Sequence, residues 1–296
     1  MDDKQNFELD DKMSDETKTF VLNTLKAMNP ADITKLDTRV VTKLKEDQYE
    51  KLFGLVNNFN DLLTIDEIHV KKSENDNFEI PFTRYVPKNL NQPPASVTVF
   101  FHGGGYCINS RKTHHLTVGM LASKSNSIWL SVGYRKCPQV KFPTPVDDSR
   151  TCLEWVFNNY AESKIGVCGD SSGAQIAAIL AHEFKQKLNY QILIYPPVSF
   201  GGPYESYKLY QKDCYLLVPK VIKHFVDNLC DDITQHIELL EVINYKDFSN
   251  LAKCLIICAE LDPLVDDSRN YYEKLKKENI DCEFLEIKGT IHGFFR

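Results

Sequence analysis

Eight short β-type runs, most of the later ones separated by helical stretches, predict an α/β fold with a mostly parallel, doubly wound sheet of about eight strands. The runs are Ile68–Val70, Phe82–Val86, Val97–Phe101, Ile128–Val132, Ile165–Cys168, Ile192–Tyr195, Leu255–Cys258 and Cys282–Ile287, each bounded by Gly, Pro or Asn. Helical stretches at about His114–Ser125, Pro145–Asn158, Ala174–Lys187 and Ser268–Glu278 separate them. Such crossovers make neighbouring strands parallel and place helices on both faces. No internal repeat or low-complexity linker interrupts the 296 residues, so 1–296 reads as one domain with a substantial core.

Two segments fall outside the alternation. The first sixty or so residues carry apolar side chains at helical spacing, with Phe20, Leu22, Leu25 and Met28, then Leu52, Phe53, Val56 and Phe59. The stretch from Pro196 to about Val242 is helix-prone and rich in aromatics (Tyr204, Tyr207, Tyr210, Tyr215, Phe225). About 1–60 and an insertion at about 197–245 are expected to pair as a helical cap over the C-terminal edge of the sheet, where open α/β sheets place their sites. The tyrosines have two open readings, helix packing and pocket lining.

Composition narrows the class. A formal net charge of −6 disfavours a nucleic-acid or anionic-membrane partner. The acidic start MDDKQNFELDDKMSDE lacks the basic and apolar regions of a secretory signal, and the longest apolar stretch, around Val97–Phe101, is far short of a membrane span. Nine scattered cysteines without a CxxC pair read as small buried residues, Cys168, Cys254 and Cys258 among them, and there is no Asn-x-Ser/Thr acceptor. Together these point to a cytoplasmic protein without metal.

Chemistry concentrates in four places. Gly169-Asp170-Ser171-Ser172-Gly173 follows a β-run and precedes a good helix former, the setting in which a serine is held on a tight, exposed elbow. Flanking glycines are required there because side chains would clash where strand and helix converge. His102-Gly103-Gly104-Gly105 follows the strand ending at Phe101, and its unencumbered N–H groups suit a tetrahedral oxyanion. Gly103, Gly104, Gly105 and the N–H of Ser172 are therefore the expected oxyanion donors, with His102 orienting the loop. Of eight histidines, His292 best fits a general base, since it follows the last strand by a short loop. His69 lies on an early strand, His114 and His115 at a helix start, and His182, His224 and His236 on helices. For the acid, Asp262 leads over Glu260, Asp266 and Asp267, the last two being placed to cap the next helix. The order Ser171, Asp262, His292 separates this chain from chymotrypsin-like proteases, whose Gly-Asp-Ser-Gly-Gly sits in an all-β fold with the histidine first.

As an ordered set, HGGG, GDSSG, DPL at Asp262–Leu264 and HGF at His292–Phe294 resemble the hormone-sensitive lipase family of α/β-hydrolases, including arylacetamide deacetylase-like esterases. Tyr134-Arg135-Lys136-Cys137-Pro138, then Phe142-Pro143 and Asp147-Asp148 leading to Trp155, resemble the family's segment between strand and helix. The resemblance spans about Ile80 to Phe294. It implies the α/β-hydrolase fold, a helical cap, and hydrolysis of small carboxylic esters of short to medium acyl chains without metal or organic cofactor. It also implies that Asp170 supports the elbow. An amidase or deacetylase with the same three residues, and a catalytically silent small-molecule binder, are the alternatives. Two departures stand out. Ser172-Gly173-Ala174 replaces the usual Ala-Gly-Gly, and the chain stops at Arg296, so the covering helix of relatives is expected to be missing and His292 poorly held. The resemblance leaves the oligomeric state open.

Overall fold

The computed structural model describes residues 8–27, 30–54, 59–72, 78–90, 93–200 and 202–296. Eight strands form one sheet: β1 (Leu63–Lys71), β2 (Glu79–Pro87), β3 (Ser96–Phe101), β4 (Ile128–Val132), β5 (Lys164–Asp170), β6 (Tyr190–Ile194), β7 (Lys253–Leu261) and β8 (Cys282–Ile291). Their spatial order is β1-β2-β4-β3-β5-β6-β7-β8. β1 and β2, and β2 and β4, pair antiparallel, and every later neighbour is parallel. Each expected run lies on one of these strands, save that Ile192–Tyr195 overshoots β6 by one residue. β1 extends well beyond Ile68–Val70 because it is a half-exposed edge strand whose charged residues mask the pattern.

The core follows from a period of two along the strands. Val97, Val99 and Phe101 of β3, Ile128, Leu130 and Val132 of β4, and Ile165 and Val167 of β5 join one cluster. It also takes side chains from the helices Thr144–Asn159, Ser172–Glu183 and Val265–Lys277. The alternate positions Phe100, Trp129, Cys168 and Ile194 turn to the other face. There they meet Val118 and Ala122 of the helix His115–Ser125, and Phe294 and Phe295. Helices on both faces are thus dictated by strands that are apolar on both faces.

The order of strands also fixes where the chemistry must lie. After β3 the chain crosses to β4 on one side, and β5 then lies on the other side of β3. Loops leaving the C-terminal ends of β3 and β5 therefore diverge and open a crevice at this switch point. His102–Gly105 and Ser171 occupy those two loops.

Within the N-terminal pattern, Met28 and Val56 lie outside the described residues. In the helix Asp15–Ala27 the buried stripe is Val21 and Leu25, which pack with Met13 on Cys214, Tyr215, Leu261 and Ile291. The insertion contributes the short helix Ser206–Leu209 and the helix Pro219–Leu229. Its tyrosines divide between the two readings. Tyr210 meets Tyr215 edge-on at 5.0 Å, whereas Tyr207, with Phe225, lines the cavity above Ser171.

One polar cluster ties the β4 exit to the core. Asp148, fully buried, accepts from Arg135 N and Nε at 2.9 Å each and from Arg135 Nη2 at 2.6 Å. The arrangement is bidentate and charge-assisted. Asp148→Ala should lower stability by about 3 kcal/mol, the low end for a broken buried pair because Arg135 is partly exposed and keeps its contact with the Phe78 ring. Urea unfolding with an unchanged m-value is the measurement; a loss under about 1 kcal/mol would contradict this account.

Candidate active site

The elbow depends on two glycines back to back. A Cβ on Gly169 would fall 2.3 Å from the Gly173 carbonyl carbon, and one on Gly173 would fall 2.0 Å from the Phe101 oxygen. Neither position admits a side chain, so the helix Ser172–Glu183 can start directly against β3. Ala174 is fully buried in the core at the next position. Ser171 is left at φ 54° and ψ −124°, a conformation costing on the order of 1–3 kcal/mol for a non-glycine residue. Its N–H donates to Ile194 O at 2.8 Å and its carbonyl accepts from Gln175 N at 3.1 Å.

Three residues far apart in sequence meet here. Ser171 Oγ and His292 Nε2 are 3.0 Å apart, and His292 Nδ1 and Asp262 Oδ2 are 2.8 Å apart. Asp262 is fully buried, and its second oxygen accepts from Leu264 N at 2.8 Å. The other acidic candidates are engaged elsewhere. Glu260 accepts from Gly289 N, and Asp266 accepts from Ser206 N and pairs with Arg269. Asp267 accepts from Ser199 and Tyr207. Asp266 and Asp267 do not cap the following helix: it begins at Val265, three residues earlier than its apolar pattern shows, which puts both in its first turn.

The expectation of a poorly held His292 is not met. Its ring packs on Tyr195 at 4.4 Å between centroids. Phe294 and Phe295, just beyond, pack on Tyr195 and Phe100.

The glycine loop divides. Gly104 and Gly105 line the cavity with Ser171 and Ser172, and among the described residues the N–H groups of Gly104, Gly105 and Ser172 have no protein acceptor. Gly103 does not belong with them, contrary to the sequence expectation. Its N–H donates to Asp170 Oδ1 at 2.7 Å, so it secures the loop from below. His102 is buried, stacks on Tyr134 at 4.3 Å, and bonds through Nδ1 with the Gly103 carbonyl at 2.9 Å. Burial, with Lys136 and His114 adding to it, pushes its pKa well down, so it stays neutral as a loop-orienting group.

Two partners were not legible in the motifs. His114, fully buried, brings Nε2 within 3.1 Å of Asp170 Oδ1. Tyr106 follows the glycines, donates through its hydroxyl to Gln175 at 2.8 Å, and through its N–H to Ser172 Oγ at 3.2 Å. Of the remaining histidines, His69 pairs with Glu67 on β1, His115 bonds the Tyr85 hydroxyl and His182 lies 3.1 Å from the Tyr271 hydroxyl. His224 and His236 lie on the insertion.

A cavity of about 1160 Å³ lies over Ser171. Its walls come from the helices Asp15–Ala27 and Thr38–Gly54, from residues 197–229 and from the glycine loop, with largely apolar side chains such as Phe20, Ile33, Leu116, Phe200 and Phe225. Candidate sites are commonly cavities of this size with a few convergent polar groups.

Burial alone would raise the Asp170 carboxyl, but His114, Arg296 and the Gly103 N–H outweigh it and hold it below the usual carboxylate range. A depressed native value adds stability above the unfolded value of about 4 and loses it as pH falls below that. The urea midpoint should therefore fall more steeply between about pH 5 and pH 3 in the wild type than in Asp170→Asn. Parallel curves would refute the assignment.

The comparisons with known proteins agree with this fold. A model of the alpha/beta hydrolase fold family matches residues 98–296. A carboxylesterase of Mycobacterium tuberculosis, NlhH, is 31% identical over 229 residues, covering 71% of each chain. An arylesterase of Saccharolobus solfataricus is 26% identical over 239 residues, covering 78% of each. The hyperthermophilic esterase of the archaeon Pyrobaculum calidifontis superposes with a TM-score of 0.85 at 26% identity, over 95% of this chain and 91% of that one. The chain belongs to the α/β-hydrolase family, as a carboxylesterase-type hydrolase of the hormone-sensitive lipase kind.

Proposed function

We propose that the chain cleaves carboxylic esters of short to medium acyl chains through an acyl-enzyme on Ser171. The observation that carries this reading is the unbroken hydrogen-bonded chain from Ser171 through His292 to buried Asp262, opening on an apolar cavity beside three N–H groups that have no protein acceptor among the described residues. Relatives named arylesterase, carboxylesterase and ethyl acetate hydrolase support small esters as the substrate class.

In this reading His292 Nε2 takes the Ser171 proton as Oγ bonds to the ester carbonyl carbon. Asp262 holds the imidazole by its Nδ1–H and stabilises the imidazolium that forms. Gly104, Gly105 and Ser172 donate to the oxyanion, and the positive end of the Ser172–Glu183 helix adds to them. Collapse of the tetrahedral intermediate breaks the bond to the alcohol oxygen, which leaves with the proton from His292. Water then attacks the acyl-enzyme, gives its proton to His292, and releases the acid and Ser171. The N-terminal helices and residues 197–245 act as a cap that keeps the acyl chain from water, and its apolar walls suit short and medium chains.

Ser171→Ala should lose about 10⁴-fold or more in kcat on 4-nitrophenyl acetate and butyrate, and Asp262→Asn about 10⁴-fold. One equivalent of an organophosphate should label wild type on Ser171, read by intact mass, and should not label the alanine variant. A Ser171→Ala protein that kept the wild-type rate would sink the mechanism.

A further inference from the structure

Four cationic side chains line the cavity over Ser171: Lys45, Lys208, Lys223 and Arg296. Two are neutralised on the outer rim, Lys208 with Glu205 at 3.5 Å and Lys223 with Asp227 at 2.7 Å. Lys45 and Arg296 have no carboxylate within ion-pair distance among the described residues. Arg296 Nε and Nη1 are buried and have no hydrogen-bond partner among the described residues. The one carboxylate of the lining, Asp170, acts on Arg296 only from beyond ion-pair distance, and it is already held by the Gly103 N–H and His114.

Buried donors of this kind are normally satisfied, and a desolvated charge without a close partner is costly. Here two like charges from different elements, the helix Thr38–Gly54 and the segment after His292, face one apolar space. Burial, and then the charge of Arg296, lower the Lys45 ammonium to about 7, as expected where a counter-ion is wanting. An anion between them would satisfy the orphaned guanidinium donors and restore the ammonium.

We propose that the ester taken by this site carries an anionic group, a carboxylate bound between Lys45 and Arg296. This rests on the ester-hydrolase reading above and adds a substrate class to it. A guanidinium fork matches a carboxylate edge, and the lysine supplies a second, more mobile charge. The surrounding apolar walls strengthen both contacts by excluding water.

Two matched pairs test the carboxylate on either side of the ester. The acyl-side pair is mono-4-nitrophenyl adipate and the neutral 4-nitrophenyl 6-oxoheptanoate; the alcohol-side pair is 4-acetoxybenzoate and 4-acetoxybenzamide. In at least one pair the anionic ester should be favoured about tenfold or more in kcat/KM, the size expected of a charge-assisted contact. Arg296→Met and Lys45→Met, each checked by circular dichroism, should each bring that ratio toward one. If wild type turns over the neutral esters with ratios at or below one, or if neither substitution moves the ratio, the anion site is overturned while the hydrolase reading stands. If no ester is turned over, the hydrolase reading fails and calorimetry on Ser171→Ala decides the anion site alone. Phenylacetate binding about tenfold tighter than phenylacetamide supports it, and equal binding overturns it.

Discussion

The carboxylate of Asp170 is the constraint on which the site depends. It is buried at the end of β5, one residue before the strained serine, and it reaches across to the loop that leaves β3. Strand pairing aligns β3 and β5 only as far as Phe101 opposite Gly169. Beyond that register nothing in the sheet fixes how the glycine loop stands over the elbow. The Gly103 N–H and His114 converge on Asp170 and supply that fixation. A Cβ on Gly103 would come within 2.6 Å of Asp170 Oδ2, so the loop can approach this closely only as glycine. A buried negative charge is stable here because the Gly103 N–H and the Tyr195 hydroxyl donate to it and His114 and Arg296 lie nearby. The same charge, by taking the first glycine N–H, leaves the next two turned toward the cavity.

Strain at Ser171 is held by the same economy of space. The glycines at 169 and 173 let strand, turn and helix close to contact distance, and hydrogen bonds from Ser171 N and Gln175 N pin the turn on both sides. Side chains of Phe100, Tyr195 and Phe294 then fill the volume beneath His292. Apolar packing, rather than a further polar contact, steadies the imidazole. Each aromatic brings a large buried area, so precise placement is achieved without adding groups that would need partners of their own.

Most of the fold and of the candidate site was legible because each part leaves a local mark. Short β-type runs bounded by Gly, Pro or Asn marked the strands, glycines marked the elbow and loop, and the ordered motifs marked the family. What sequence missed is non-local. Gly103 looked equivalent to Gly104 and Gly105, since the three differ only in what lies below them. His114 read as a packed helix-start histidine, because its partner is 56 residues away in sequence and meets it only through the sheet. The tyrosines of the insertion could not be sorted, since Tyr207 and Tyr210 are three residues apart and yet take different surroundings. Nothing in the sequence singles out Lys45 from Lys43 on the same helix, and Lys43 pairs with Asp47. Only the third dimension separates the two lysines.

The acid loop and the cavity wall are one structure, and this limits how the site can vary. Ser199 donates to Asp267 through its N–H and hydroxyl, and Tyr207 donates to the same carboxyl. Ser206 donates to Asp266 through its N–H and to the Pro263 carbonyl through its hydroxyl. Burial pushes the Asp267 carboxyl up to about 7, and the nearby Asp262 charge adds to it, while Ser199 and Tyr207 pull the other way. A second full charge beside Asp262 is thereby weakened near neutrality. The start of the insertion is consequently bound to the element that carries Asp262, and its position there is set by polar contacts. The Pro219–Leu229 helix meets the glycine loop by packing, with Phe225 occupying the space a Gly105 side chain would take. Packing contacts tolerate volume-conserving change far better than buried hydrogen bonds tolerate loss. Pocket shape is therefore free to drift on the Phe225 side, while the side nearest Asp262 is held by the chemistry it supports.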